Sequence, residues 1–309
     1  MINQDHRNIT PAAPMANNQH NHTPDPQKNI AVAFALNASF TIIEIIGGIL
    51  TNSVAILSDA VHDLGDTFSL GLAWYTERIA RRKPDSRYTY GYKRFPVLAA
   101  LVNAVFLLGA SIFVLSRAIP LILNPEPVHA EGMIWLAILG IIFNGAAVLK
   151  LNKGDSINQK VVRLHLLEDT LGWAAVLIGA VVIRFTGLLW LDPLMGVMIA
   201  LFIIYNALKN LREALRIFLQ ASPADSDIPG LEEKLTRIPG ISGIHDIRTW
   251  TIDGNTHVYT LHVVAERGIP AEGYPDLKKK VRETLNASGF EFVTVEIDRF
   301  DEHCGLNDC

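Results

Sequence analysis

Residues 52–78 read NSVAILSDAVHDLGDTFSLGLAWYTER, an apolar stretch that carries Asp59, His62, Asp63 and Asp66 near its middle. As a helix, this stretch is long enough to cross the roughly 30 Å of hydrocarbon in a bilayer. Ionisable groups at that depth are costly, so they usually face a polar interior and serve a function. Because His62 and Asp66 are four residues apart, they lie on one face of the helix. The stretch is therefore predicted to be a membrane span that presents ligands to the protein interior.

The same spacing recurs later in the chain, in RLHLLEDTLGWAAVLIGAVV, where His165 precedes Asp169 by one helical turn. Two imidazoles and two carboxylates suit a tetrahedral zinc ion. Mg²⁺ and Ca²⁺ prefer oxygen ligands, and Cu(I) prefers sulfur ligands, whereas Cd²⁺, Co²⁺, Fe²⁺ and Ni²⁺ stay compatible with this ligand set. The two spans are predicted to form one transport site for a divalent metal, with zinc as the leading candidate. Its four ligands are predicted to be His62, Asp66, His165 and Asp169.

Three acidic neighbours of these pairs have open roles. Asp59 lies about one turn before His62 and faces the same cavity, where it either orients a ligand imidazole or links two helices through a polar contact. Asp63 points away from the ligand face and is expected to be protonated or paired. Glu168 lies beside Asp169 and is an alternative ligand.

Apolar residues make up 50% of the 309-residue chain and are clustered ahead of residue 220. This distribution predicts an α-helical membrane domain of six spans, followed by a water-soluble part. The net charge of −4 shows no basic excess, which argues against a nucleic-acid partner. The six apolar segments cover approximately residues 30–50, 52–78, 95–119, 133–149, 161–183 and 189–208.

Lysine and arginine in the connecting loops predict the orientation of the spans. They are concentrated between spans two and three, between spans four and five, and after span six. The connections on the other side of the bilayer contain neither residue. Both termini are thus expected in the cytoplasm, which for a bacterial protein means an integral protein of the plasma (inner) membrane.

The chain divides into four parts. Residues 1–28 form a polar tail, expected to be disordered, in which His6, His20 and His22 are dispersed. Residues 29–220 form the membrane domain, and residues 221–300 are predicted to form a cytoplasmic α+β domain of αββαβ order, metallochaperone-like in form. Residues 301–309 form a tail that contains the chain's two cysteines. Two cysteines in this position do not indicate a fold stabilised by disulfide bonds.

The ligand types indicate the energy source. A histidine must be neutral to bind metal, and its unperturbed pKa of about 6.5 lies close to physiological pH. Metal binding therefore releases protons, and protonation releases metal. The chain contains no Gly-x-x-x-x-Gly-Lys-Ser/Thr motif for ATP. A proton gradient is the expected driving force.

These features together resemble the cation diffusion facilitator family, in its zinc-transporting, bacterial-type branch. The resemblance rests on LSDAVHDLGD and HLLEDTLG in spans two and five, on the basic loop that ends YTYGYKRF, and on the αββαβ domain. It implies a metal/proton antiporter that exports Zn²⁺ from the cytoplasm and forms a homodimer through the cytoplasmic domain and the membrane helices. It also implies that histidine at the first ligand position, His62, favours zinc over cadmium.

The resemblance further implies a regulatory zinc site in the cytoplasmic domain. His245 in GIHDIRT and His262 in YTLHVV match ligand positions of bacterial relatives. Glu296 and Asp298 in VTVEIDRF occupy the other positions, so that a carboxylate replaces one imidazole. The C-terminal tail either completes this site with an imidazole and thiolates or stays a loose, reduced segment; its candidate ligands are His303, Cys304 and Cys309.

The same resemblance assigns Lys93 to a position that forms a dimer contact in relatives. In relatives, a lysine in span three helps lock the dimer through an acid after span six, and Lys93 matches that lysine. Gln220 stands at the position of the acid, which removes the expected partner.

Two other functions would use the same ligands. An intramembrane metalloenzyme needs an open metal position and a general base, but the chain has no His-Glu-x-x-His helix and four ligands fill a zinc shell. No enzyme activity is therefore expected. A metal-sensing membrane protein without flux would use the soluble domain to detect metal. Efflux of Fe²⁺, Co²⁺ or Cd²⁺ is the nearest variant of the transporter hypothesis.

Overall fold

Long helices followed by a small α+β domain make up the computed structural model, which describes residues 26–151 and 157–302. The long helices are α1 (Pro26–Thr51), α2 (Val54–Ala80), α3 (Phe95–Leu123), α4 (Ala130–Leu151), α5 (Ile157–Thr186) and α6 (Leu191–Phe218). The smaller elements are α7 (Ile228–Thr236), β1 (Ile241–Thr251), β2 (His257–Ala265), a 3₁₀ turn (Ala271–Gly273), α8 (Tyr274–Ala287) and β3 (Phe290–Asp298). The predicted fold class, a helical membrane domain with an αββαβ domain after it, is confirmed.

Both predicted tails fall largely outside the described residues. α1 begins at Pro26, inside the segment assigned to the N-terminal tail. The tail histidines His6, His20 and His22 and the C-terminal His303, Cys304 and Cys309 lie outside the described part of the chain.

Four of the described helices are long and apolar enough to cross a membrane. They are α3 and α6 over their whole lengths, α4 at Ala130–Leu149 and α5 at Arg163–Thr186. α1 contributes a shorter apolar segment, Asn37–Thr51. α2 has sufficient length at 27 residues, but the acidic side chains within it lower its hydropathy. Six spans therefore remain a prediction, because α1 and α2 are not among the four helices that are long and apolar enough.

α2 has a central position in the helical domain, where it packs against α1, α3 and α6. α4 pairs with α5, and α3 pairs with α6. A buried apolar cluster around Phe40, Ile56, Met133 and Trp173 joins α1, α2, α4 and α5. This cluster brings α2 and α5, which carry the two His-x-x-x-Asp pairs, into one bundle.

The start of α2 is fixed to α6 by a buried aspartate. Asp192 accepts a hydrogen bond from the Ser53 hydroxyl at 2.6 Å and one from the Val54 backbone N–H at 2.7 Å. The Ser53 hydroxyl also caps the helix by accepting from the Ile56 N–H at 3.2 Å. A carboxylate at a helix N-terminus satisfies free N–H groups and complements the helix dipole. Asp192 therefore sets where α2, and the ligands two turns further on, lie relative to α6.

The C-terminal α+β domain, for which we keep the name cytoplasmic domain, is a three-stranded sheet covered on one face by helices. β1 pairs antiparallel with β2, and β2 pairs parallel with β3. Val281 and Leu285 of α8 pack in one core with Tyr259 and Leu261 of β2. Because side chains alternate along a strand, His262 lies on the other face of the sheet, which these helices do not cover.

Candidate metal sites

All four predicted transport ligands meet between α2 and α5. His62 Nε2 lies 3.9 Å from Asp66 Oδ2 on its own helix and 4.0 Å from Asp169 Oδ1 on α5. His165 Nε2 lies 2.9 Å from Asp66 Oδ2 and 3.8 Å from Asp169 Oδ2. Each imidazole thus faces the carboxylates of both helices.

These distances fit a compact metal shell. Zinc bonds of roughly 2.0–2.2 Å in a tetrahedron place neighbouring donor atoms roughly 3.3 Å apart. The observed contacts between imidazole nitrogens and carboxylate oxygens run from 2.9 to 4.0 Å. The two imidazole rings have centroids 6.0 Å apart and stand nearly perpendicular. Ligand atoms of His62, His165 and Asp169 already lie within 4.8 Å of one another, and Asp66 contacts both imidazoles.

The acidic neighbours occupy three different environments. Asp63 is buried and places a carboxylate oxygen within 4.8 Å of ligand atoms of His62 and Asp66. Asp59 is partly buried and, in the described part of the chain, joins none of the sets of ligand atoms that lie within 4.8 Å of one another. Glu168 is exposed and likewise joins none of these sets. Glu168 is therefore exposed and outside the cluster of ligand atoms, whereas Asp63 is buried and lies beside it.

A second cluster forms across the three strands of the cytoplasmic domain. The strand register places His245 opposite His262, and His262 opposite Glu296. Asp298 Oδ2 lies 2.9 Å from His245 Nε2 and 3.1 Å from His262 Nδ1. Glu296 Oε2 lies 3.5 Å from His262 Nε2 on the exposed rim. The four candidate ligands that fall within the described residues are thus brought together on the uncovered face of the sheet.

The structure adds Asp246 to this cluster, a residue that sequence reasoning missed. Its Oδ2 lies 3.9 Å from His262 Nε2. Asp246 has φ +47° in an irregularity between His245 and Arg248. A bulge interrupts strand alternation, so Asp246 need not point to the face opposite His245. The only sequence feature that could have indicated Asp246 as a candidate ligand is its position next to His245 in GIHDIRT.

Arg248 keeps the added carboxylate charged. Its Nη2 donates to Asp246 Oδ1 at 2.6 Å. This hydrogen bond holds the pKa of Asp246 below its usual value. The second oxygen of Asp246 remains directed at His262, so the cluster offers an ionised acid beside its two imidazoles.

Comparison with known proteins covers both domains. Residues 30–219 match the family model described as cation efflux transmembrane domain, and residues 223–300 match cation efflux protein, cytoplasmic domain. The metal cation efflux system protein CzcD of Cupriavidus metallidurans is 33% identical over 287 residues, which cover 92% of this chain and 90% of that protein.

Other relatives are similar over comparable lengths. The cadmium, cobalt and zinc/H(+)-K(+) antiporter of Bacillus subtilis is 30% identical over 284 residues, with 90% of this chain and 91% of that protein covered. The zinc transporter ZitB of Escherichia coli K12 is 31% identical over 303 residues, with 94% and 96% covered. This chain therefore belongs to the cation efflux family, which the sequence motifs had indicated under the name cation diffusion facilitator.

Proposed function

We propose that this protein exports a divalent metal from the cytoplasm in exchange for protons, and that zinc is its main substrate. The observation that carries the proposal is the convergence of His62 and Asp66 on α2 with His165 and Asp169 on α5. Two nitrogen and two oxygen donors suit zinc better than a hard or a soft cation. The names of the relatives, a zinc transporter and a cadmium, cobalt and zinc antiporter, support this class of substrate.

The contacts between the candidate ligands support the proposed exchange with protons. His165 Nε2 lies 2.9 Å from Asp66 Oδ2, so a proton held on the imidazole is stabilised by the carboxylate. A metal ion needs the lone pairs of the same atoms and displaces that proton. Loading with metal on one side of the membrane and with protons on the other gives antiport.

The proposed orientation has six spans and both termini in the cytoplasm. α2 counts as a span because its acids face other helices rather than lipid, which lowers their cost in the membrane. The loop between α2 and α3 carries six Lys and Arg residues, more than any other connection between the helices, which fits the positive-inside rule with this loop in the cytoplasm. The bacterial relatives support the bacterial inner membrane, and the match of residues 223–300 to the family's cytoplasmic domain supports a homodimer joined through that domain.

The cytoplasmic cluster is proposed to bind a regulatory zinc ion. His245, His262 and Asp298 present ligand atoms that all lie within 4.8 Å of one another. Asp246 and Glu296 are available as further oxygen donors on the same face. Metal bound there would join all three strands and stiffen the domain that we expect to form the dimer.

The protein is proposed to be a carrier and not an enzyme. Catalytic zinc sites keep one position open for water, whereas structural shells are closed by four protein ligands. The four side chains at the α2–α5 site are enough to close such a shell.

The test is metal and proton flux by the purified full-length protein in liposomes that hold a pH gradient. Asp169→Asn removes a ligand, and we expect zinc flux to fall to roughly a hundredth or less, beyond the loss typical of residues that only support ligands. Glu168→Gln is the matched control, because it changes the neighbouring, exposed acid. Normal flux in Asp169→Asn, or equal loss in both variants, would refute the site. Zinc flux without proton movement would refute the exchange.

A further inference from the structure

A cavity of about 480 Å³ lies where the α2–α3 loop meets the end of α6 and strand β1. We call this cavity the junction pocket. The transport mechanism does not use it. Its walls include two arginines and a set of aromatic rings: Arg87, Arg94, Tyr88, Tyr90, Tyr92 and Trp250.

The loop wall of the junction pocket is held in place by Asp85. Its Oδ2 accepts from the Tyr92 hydroxyl at 2.6 Å, and its Oδ1 accepts from the backbone N–H groups of Arg87 and Tyr88, each at 2.8 Å. The Tyr92 bond, followed by the two backbone bonds, holds the pKa of Asp85 below its usual value. The rings of Tyr88 and Tyr92 lie 4.7 Å apart. An exposed loop is thus ordered before any ligand arrives.

The charge in the junction pocket is unbalanced. In the described part of the chain, the guanidinium of Arg87 has no hydrogen-bond or ion-pair partner. Arg94 donates from Nε to the Ile252 carbonyl at 3.2 Å, which directs its side chain towards the same space. No acidic residue is among the described residues that line the cavity. Two guanidinium groups without an acid favour an anion, and their forked donors match phosphate oxygens.

The position of the pocket favours a lipid headgroup over a free anion as the source of the phosphate. It opens where α3 begins, on the side of the cytoplasmic domain, and Phe95 and Leu98 of α3 form its apolar end. Leu98 is 45% exposed, on a helix apolar enough to span the membrane. Tyrosine and tryptophan concentrate at the level of lipid headgroups, and basic pockets beside membrane helices bind anionic headgroups. A free anion would not need the apolar end.

We propose that the junction pocket binds the phosphate headgroup of an anionic phospholipid from the leaflet next to the cytoplasmic domain. Arg87 and Arg94 contact the phosphate, and the acyl chain leaves the pocket along Leu98. Trp250 of β1 supplies the wall from the cytoplasmic domain. The bound lipid therefore touches both domains and stabilises the contact between them.

The experiment is native mass spectrometry of the delipidated full-length protein in detergent. Phosphatidylglycerol or phosphatidylcholine of equal chain length is added, with inorganic phosphate in a separate series. We expect the wild type to bind phosphatidylglycerol in preference to phosphatidylcholine, and Arg87→Gln to bind it roughly tenfold more weakly. Lys83→Gln, which removes a charge from the same loop but outside the lining of the pocket, is the matched control and keeps wild-type affinity.

Three outcomes would overturn the proposal. The first is equal phosphatidylglycerol binding by wild type and Arg87→Gln. The second is equal loss in Arg87→Gln and Lys83→Gln, which would mean attraction to the whole basic loop. The third is displacement of bound lipid by equimolar inorganic phosphate, which would mean a site for the free anion. Zinc flux in phosphatidylcholine liposomes shows that Arg87→Gln is folded, because Arg87 is remote from the ligands.

Discussion

At the scale of single residues, the two candidate metal sites share one arrangement. A carboxylate from one element lies against an imidazole of another: Asp66 with His165 between helices, and Asp298 with His245 between strands. Such contacts hold ligand atoms near their bound positions before metal arrives, because the nitrogen and the oxygen of each pair are already 2.9 Å apart. Sequence spacing predicted the pairs within α2 and within α5. It could not predict which imidazole of one helix meets which carboxylate of the other.

Zinc binding by the cytoplasmic cluster can be tested by a substitution at Asp298 alone. Asp298→Asn leaves both imidazoles but removes the carboxylate that contacts each of them. We expect the full-length protein to bind one zinc ion fewer per chain at buffered free zinc, because an amide is a poorer ligand. Elemental analysis of the equilibrated protein measures this.

Asp301→Asn is the control for this measurement, since Asp301 is exposed and lies near Arg299. If Asp298→Asn retains the wild-type zinc content, the cytoplasmic cluster does not bind zinc.

At the scale of elements, α2 is the helix in which a proposed membrane span conflicts most with composition. Its acids make it less hydropathic than α3 to α6, yet it packs against three other helices. The close approach to α3 depends on Gly65, where a Cβ would overlap the side chain of Leu107. Gly65, one position before Asp66, therefore allows α3 to pack closely against α2 next to the site.

Gly65→Ala is expected to destabilise the protein by roughly 1–3 kcal/mol through overpacking. The matched control is Gly109→Ala on α3, where the added Cβ would meet nothing within 4 Å. That control should be neutral or stabilising, because alanine has the higher helix propensity by about 1 kcal/mol. Thermal unfolding in detergent compares the two variants. A midpoint for Gly65→Ala at or above that of Gly109→Ala would contradict the packing argument.

At the scale of the whole molecule, the membrane and cytoplasmic domains are joined by polar contacts around Lys93. Its Nζ donates to Thr256 Oγ1 at 2.8 Å and lies 3.7 Å from Glu291 Oε2. Tyr90 meets Phe292 edge-on, with ring centroids 5.2 Å apart. Gln220 stands where the family resemblance places an acid after the sixth span, and Lys93 contacts the cytoplasmic domain of its own chain instead.

Lys93→Met keeps the aliphatic stem but removes the ammonium group. We expect amide hydrogen exchange in the β1–β2 turn, Thr251–Thr256, to become about fivefold faster, the size of one lost hydrogen bond. Lys83→Met is the control for the loss of a basic side chain from the same loop. Unchanged exchange in the turn would show that Lys93 does not hold the two domains together.

The sequence by itself determined the elements and most of the candidate ligands. Apolar segments and turn signals follow from local chemistry, so the membrane helices and the αββαβ order were predictable. The His-x-x-x-Asp spacing placed His62 with Asp66, and His165 with Asp169, because one helical turn fixes which residues share a face. Glu296 and Asp298, by contrast, were predicted from the family resemblance and not from a local pattern.

Only the tertiary structure decided how these pieces meet. The position of Asp63 beside the ligands and the exposure of Glu168 depend on how α2 and α5 are rotated in the bundle, which local spacing does not specify. The inclusion of Asp246 depends on a bulge that alternation alone would not predict. The contacts of Lys93 depend on the docking of two domains that are far apart in the chain. Such long-range contacts are set by packing and not by local pattern.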